Sequence, residues 1–199
     1  MRWLTLYLRS RRVPVALAAA VVGMVVMWVL GAIVNDGAPG VTMVVLTALL
    51  LVAALTATLG GPDEELDRTA AQPWAPRRVA HLLAALAVVA GLPLLTHLTG
   101  SSFGPTGLVI RDAAGLLGLT ALSAPLLGAG RAWFVPLGWT LAAAVYPVTG
   151  HVLGEILTWQ SQVPGNTPAA VTATVLGVGG LIAYALAGPA RRAPAEAAL

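Results

Sequence analysis

The 199-residue sequence contains neither cysteine nor lysine; all eleven of its Lys/Arg-type residues are arginine. Without cysteine there are no disulfides, thiolate metal sites or thiol nucleophiles. Without lysine there is no Walker A phosphate loop of the ordinary kind, no pyridoxal Schiff base and no lysine general base. Charge of either sign is scarce: 10% of residues are charged, against roughly 25% in soluble globular domains. What fills the chain instead is apolar, with 58% hydrophobic residues and a mean hydropathy of +0.85, the composition of a membrane protein. Spans of about 20 residues crossing a hydrocarbon core of roughly 30 Å leave room for about six helices and no separate soluble domain. Abundant Ala, Gly, Pro, Val and Arg also fits GC-rich bacterial coding, which carries no information about activity.

A net charge of +3 and a pI near 10.2 raise the question of nucleic acid. The arginines sit at the ends of apolar runs and do not form one basic face, so they read as topology signals and exclude nucleic acid as a partner. Six apolar runs are expected to cross the membrane, over residues 13–34, 41–60, 79–98, 113–130, 132–150 and 169–188. The first follows Arg2, Arg9, Arg11 and Arg12 like a secretory signal. It is longer than a signal core of about 7 to 15 residues, and no convincing small-x-small cleavage site follows it, so a retained anchor is expected. With both termini in the cytoplasm, the four N-terminal arginines, Arg68, Arg77, Arg78, Arg131, Arg191 and Arg192 all lie inside, and only Arg111 lies outside. Trp3, Tyr7, Trp74 and Trp133 fall near the inner interface and Trp159 near the outer one, while Trp28 and Trp139 lie deeper and are expected to pack. Ala169, Ala173 and Gly177 recur every four residues as a small-residue ridge for helix packing. No internal repeat of the inverted-carrier kind is visible.

Chemistry is sparse. Asp, Glu and Arg are absent from the interiors of the expected spans, and His81, His97, Arg111 and Asp112 fall at their ends. Proton- and sodium-coupled carriers place such groups at membrane depth, so this chain is not expected to carry its own ion coupling. Ser123, in "GLTALSAPLL", lacks the flanking glycines of an intramembrane serine protease motif and reads as a packing hydroxyl. His97, His151 and Glu155 could meet as metal ligands, but scattered single residues read as ordinary interfacial polar groups. No catalytic, cofactor or metal site is expected on the chain.

Charge is concentrated in one place, "GPDEELDRTAAQPWAPRRVAH" at residues 61–81. Pro62 suits a first helical position, and Asp63, Glu64, Glu65 and Asp67 load a helix N-terminus with favourable negative charge. Arg68 lies four residues after Glu64 and three after Glu65, within pairing distance. "QPWAP" ends that short helix, and Arg77 and Arg78 anchor the next span. A solvated connector is the plain alternative. Two amphipathic elements accompany the loop. "MRWLTLYLRSRR" carries Trp3, Leu4, Tyr7 and Leu8 as a stripe able to lie along the membrane plane, with Arg9, Arg11 and Arg12 beside it. "HVLGEILTWQSQVPGNTP", after the fifth run, places Val152, Leu153, Ile156 and Leu157 on one helical face before a Pro/Gly/Asn turn.

With these elements in this order, the chain resembles the membrane subunits of ABC-2 type exporters of the ATP-binding-cassette superfamily. Residues 1–12 match an amphipathic interfacial helix, 61–78 a cytoplasmic coupling loop and 151–168 an extracellular helix-turn. "ELDRTAAQPWAPRRVAHLL" also looks like the corresponding loop of small actinobacterial permeases. The resemblance implies an all-α integral membrane protein of one domain, residues 1–199, with six transmembrane helices and both termini cytoplasmic. It places the chain as a multi-pass protein of a bacterial plasma membrane. Asp63, Glu64, Glu65, Asp67 and Arg68 would face a separate ABC ATPase subunit, which carries the ATP and Mg, while Trp74, Arg77 and Arg78 seat the loop. A second permease copy or a paralogue would complete a dimer. The implied function is efflux of a hydrophobic or amphipathic substrate, an antibiotic, peptide or lipid. Two other classes stand beside it: a non-transporting membrane scaffold or sensor subunit, and an intramembrane enzyme acting on lipid or peptide, weakened by the lack of a convergent catalytic set.

Overall fold

The computed structural model describes residues 2–34, 40–60, 74–99, 103–146 and 151–190. All regular structure among them is helical. In chain order the helices are α1 (Arg2–Ser10), α2 (Val13–Val34), α3 (Val41–Thr56), α4 (Trp74–Leu95), α5 (Thr106–Leu127), α6 (Phe134–Val145), α7 (Val152–Leu157) and α8 (Thr167–Ala187). Short 3-10 turns cover Thr96–Thr99, Ala129–Arg131 and Trp159–Ser161.

Four helices, α2, α4, α5 and α8, are long and apolar enough to cross a membrane. At 1.5 Å per residue each runs about 31 to 33 Å, the thickness of the hydrocarbon core. Valine-rich α2 would be a poor helix former in water. In hydrocarbon a helix satisfies its own backbone, and that outweighs side-chain propensity. Helix α3 is apolar but has 16 residues. It continues through a turn in which Thr58 Oγ1 donates to the Leu55 carbonyl at 2.7 Å.

Three of the expected spans have clearly different bounds. The fourth begins at Thr106 and ends before Gly128, at φ 77°, instead of covering 113–130. Arg111 and Asp112, read as lying before the span, therefore sit in the second turn of α5. The fifth, expected over 132–150, forms a helix of 12 residues, about 18 Å long, so α6 alone does not cross the core. It stops because Tyr146 precedes Pro147 and takes an extended conformation, ψ 130°, as a residue before proline must. The third span starts earlier than expected, at Trp74, with Pro76 tolerated in its first turn.

Helices α5 and α8 run in the same direction, opposite to α4, and the bundle has two ends. The near end holds α1, the ends of α3, α5 and α8 and the start of α4. The far end holds the start of α5, residues 151–163 and the start of α8. At the centre α5 lies against α8. A Cβ on Gly118 would sit 2.5 Å from the Gly177 Cα, and one on Gly180 would sit 2.8 Å from the Gly118 Cα. The two backbones touch there, which only glycine permits. The expected small-residue ridge therefore has its partner: Ala169 and Ala173 are buried, Gly177 meets Ala114, and α5 supplies Gly118. Around this pair pack Leu51 and Val52 of α3, Val89 of α4 and Leu116 of α5, all buried. Asn166 caps α8 by accepting from the Ala169 N–H at 2.9 Å.

Candidate functional site: two polar ends and an apolar cleft

The near end is built around one backbone carbonyl. Leu59 O accepts from the Tyr184 hydroxyl at 2.6 Å and from Arg11 Nη1 at 3.4 Å. Arg11 is buried, 5% exposed, because the chain turns between α1 and α2 with Arg12 at φ 55°, folding α1 back onto the bundle. Its guanidinium lies 5.0 Å from the centre of the Tyr7 ring, and that ring meets His81 edge-on at 6.3 Å. His81 Nε2 in turn shares a hydrogen bond of 3.0 Å with Thr58 Oγ1. One turn before His81, Arg78 Nη1 donates to the Ala185 carbonyl at 3.3 Å and its guanidinium lies against Gly188. A cation at the last turn of α8 meets unpaired carbonyls and the negative end of the helix dipole. Arg77 lies 5.3 Å from the Trp74 ring centre.

Of the interfacial-helix residues, Tyr7 and Arg11 face the bundle, while Arg9 and Arg12 are exposed. Trp3 lies on α1, and its side chain is outside the described residues. Asp63, Glu64, Glu65, Asp67 and Arg68 also lie outside the described residues. The chain on both sides of them is placed: Leu59 before the loop and Arg78 after it are both tied to the final turns of α8, at Tyr184 and Ala185. Sequence reasoning missed Tyr184, Thr58 and the Leu59 carbonyl. A tyrosine near the end of an otherwise aliphatic span was the available signal.

At the far end, Arg111 Nε donates to Asp112 Oδ1 at 2.9 Å, and Arg111 Nη2 donates to the Gln160 carbonyl at 3.0 Å. A weaker bond of 3.4 Å runs from Nη1 to the Val163 carbonyl. Two further contacts come from α6: Trp139 Nε1 donates to the Leu157 carbonyl at 2.9 Å, and the Thr140 hydroxyl, with one proton to share, lies 2.8 Å from both Gln160 Oε1 and the Pro136 carbonyl. Asp112 and Trp159 are fully buried and Gln160 nearly so, with the Trp159 indole packed on Gly115, one helical turn from Asp112. Helix α7 turns its apolar residues Val152, Leu153 and Leu157 outward, as an interfacial helix would. Trp139 packs as expected; Trp28 is 39% exposed.

Between the ends, Leu82, Leu86, Leu117, Gly177, Val178 and Leu181 line a cleft of about 250 Å³, almost wholly apolar, where α4, α5 and α8 meet. Ser123 lies in reach of three carbonyls, those of Leu119, Thr120 and Ala132 at 2.9 to 3.0 Å, so its single proton is committed to packing. His97 Nε2 bonds the Gly104 carbonyl at 3.1 Å. Among the described residues no three His, Asp or Glu side chains gather as metal ligands, and His97, His151 and Glu155 do not form such a group. The cleft can take an apolar group. Comparison with known proteins finds no matching family model, no matching curated protein and no matching solved structure.

Proposed function

We propose that this chain is the membrane subunit of a bacterial ABC-2 type exporter, with six spans, both termini cytoplasmic and the near end facing the cytoplasm. The observation that carries the proposal is the double attachment of the charged loop. Its leading edge at Leu59 and its trailing edge at Arg78 both bond to the last turns of α8, and the same Leu59 carbonyl takes Arg11 from the amphipathic segment. Displacement of the loop by a docked protein would thus move α8, and with it α5, whose backbone is in contact. Flanks tied to one helix in this way suit a docking element better than a passive connector. The motor would be a separate ATPase whose ATP-driven dimerisation rocks the helices between inward- and outward-open arrangements.

The apolar cleft supports a lipophilic or amphipathic cargo. At about 250 Å³ it lies below the usual range of roughly 300 to 1,000 Å³ for small-molecule sites, so a full pathway calls for a second permease copy or a paralogue.

Purification of the tagged chain from its native membrane in mild detergent, with mass spectrometry and an ATPase assay on what accompanies it, tests the proposal. A copurifying nucleotide-binding subunit with ATP turnover is expected. Its absence would move the charged loop to another partner and favour a non-transporting scaffold. Charge reversal at Glu64 and Glu65 should abolish association with the ATPase while membrane insertion is unchanged; unaltered association would remove the docking role.

A further inference from the structure

We propose that residues 151–163 form a strap that opens away from the far end of the bundle, and that Arg111 is the latch that holds it shut. Four side-chain contacts close the strap onto the body. Two come from Arg111, to the carbonyls of Gln160 and Val163, and two from α6, through Trp139 and Thr140. Arg111 is the only one of these groups that also engages a buried charge, since its Nε holds Asp112 Oδ1 at 2.9 Å. One planar guanidinium thus reaches the strap through two donors while a third holds Asp112 on α5, a geometry that lysine's compact ammonium does not reproduce.

The same interface holds groups that the closed state leaves unsatisfied. Asp112 Oδ2, Trp159 Nε1 and Gln160 Nε2 are each buried with no hydrogen-bond partner among the described residues. A buried polar atom without a partner carries a desolvation penalty, which opening to water relieves. Arg111 therefore holds shut an interface whose buried polar atoms gain water as a partner when it opens.

The strap has an apolar outer face and a glycine hinge on its α8 side. Its outer face presents Val152, Leu153 and Leu157 to the surroundings. It joins α8 through Gly165, at φ 89°, a conformation glycine adopts without strain, with nothing packed around the position where a Cβ would stand. Asp112 is faced by no other described charge from the helices against it. Helix α3 has no ionisable residue, and the Arg77, Arg78 and His81 of α4 lie at the opposite end. On the strap itself the ionisable residues are His151 and Glu155, in the segment before the turn that Arg111 grips. The proposal deepens the transport reading, since a permease must open its outer face, but strap movement is measurable without an ATPase or a substrate.

The experiment uses the full chain, which has no native cysteine to remove. Gln162→Cys, at a buried position on the strap, reports opening; Ser161→Cys, exposed beside it, reports reagent access; Thr58→Cys, buried at the near end, reports general unfolding. Maleimide labelling in permeabilised membranes should be rapid for Ser161→Cys and slow for Gln162→Cys. Adding Arg111→Gln should speed Gln162→Cys labelling at least tenfold. Arg111→Lys should fall between the two, and Thr140→Val should raise the rate severalfold. The proposal is overturned if Gln162→Cys labels at one rate in all these backgrounds, the behaviour of a static, water-bridged contact. It is equally overturned if Arg111→Gln accelerates Thr58→Cys to the same degree, because the change is then global. Repeating the labelling in sealed cells and inverted vesicles shows which side of the membrane the strap faces. A strap that opens on the cytoplasmic side would contradict the exporter topology and leave the latch intact.

Discussion

Helices α2 and α5 have the same length, 22 residues, and opposite places in the molecule. The most apolar of the four membrane-length helices, α2, is mostly exposed, whereas the least apolar, α5, is mostly buried. A soluble protein would sort them the other way. In a bilayer, lipid tails are as apolar as leucine, so apolarity alone does not draw a helix inward. Close backbone approach and hydrogen bonds do. Helix α5 has Gly115 and Gly118 for approach, and Asp112, Thr120 and Ser123 as polar groups that are better placed inside protein than in hydrocarbon. Helix α2 offers a valine surface and a close approach at Gly23 against Leu50.

The sharpest way to break this contrast is Gly118→Leu. A side chain there must displace the backbone of α8, so a loss beyond ~3 kcal/mol is expected, at or above the upper end for overpacking. Helical signal against increasing SDS should show a lower midpoint and little folded protein. Next comes Arg111→Gln, which strands the buried Asp112 carboxylate. Loss of one partner of a buried pair costs about 3 to 5 kcal/mol, and with Arg111 8% exposed the lower part of that range applies. The double variant with Asp112→Asn should recover at least half of the loss, and additive losses in the double-mutant cycle would mean the two side chains do not act as a pair. Tyr184→Phe removes one hydroxyl from the Leu59 carbonyl and should cost about 1 kcal/mol, since Arg11 remains on that acceptor. Val22→Ala, on the exposed surface of α2, should change stability by less than ~0.5 kcal/mol. If Val22→Ala costs as much as Tyr184→Phe in the detergent-solubilised protein, α2 packs on something, and a second copy of the chain is the first occupant to test by crosslinking.

The same distinction explains which features were legible in the sequence. Apolar runs mark the long helices because length and hydropathy are local properties, and the small-residue ridge at Ala169, Ala173 and Gly177 follows from helical spacing alone. The start of α5 was misplaced because Arg111 and Asp112 look like a boundary when each is taken as a free charge. Paired with each other and tied to the strap, they fit inside the helix. The end of α6 was overrun because hydropathy does not register the restriction that Pro147 places on Tyr146. At the near end, Arg77 and Arg78 were read as interfacial anchors, and they lie at the start of α4. The attachment of Arg78 to Ala185 crosses 107 residues and has no local signature.

By itself the sequence determined that this chain is helical and apolar enough for a membrane, that Ala169, Ala173 and Gly177 form a small-residue ridge, and that thiol and lysine chemistry are absent from it. Those are consequences of composition and of spacings within one or two helical turns. Only the tertiary structure decided which helix stands at the centre, that Leu59 and Arg78 converge on α8, and that Arg111 spans Asp112 and the strap. Each of these depends on contacts between residues far apart in the chain, where hydrogen-bond geometry and backbone approach decide the partner and hydropathy does not.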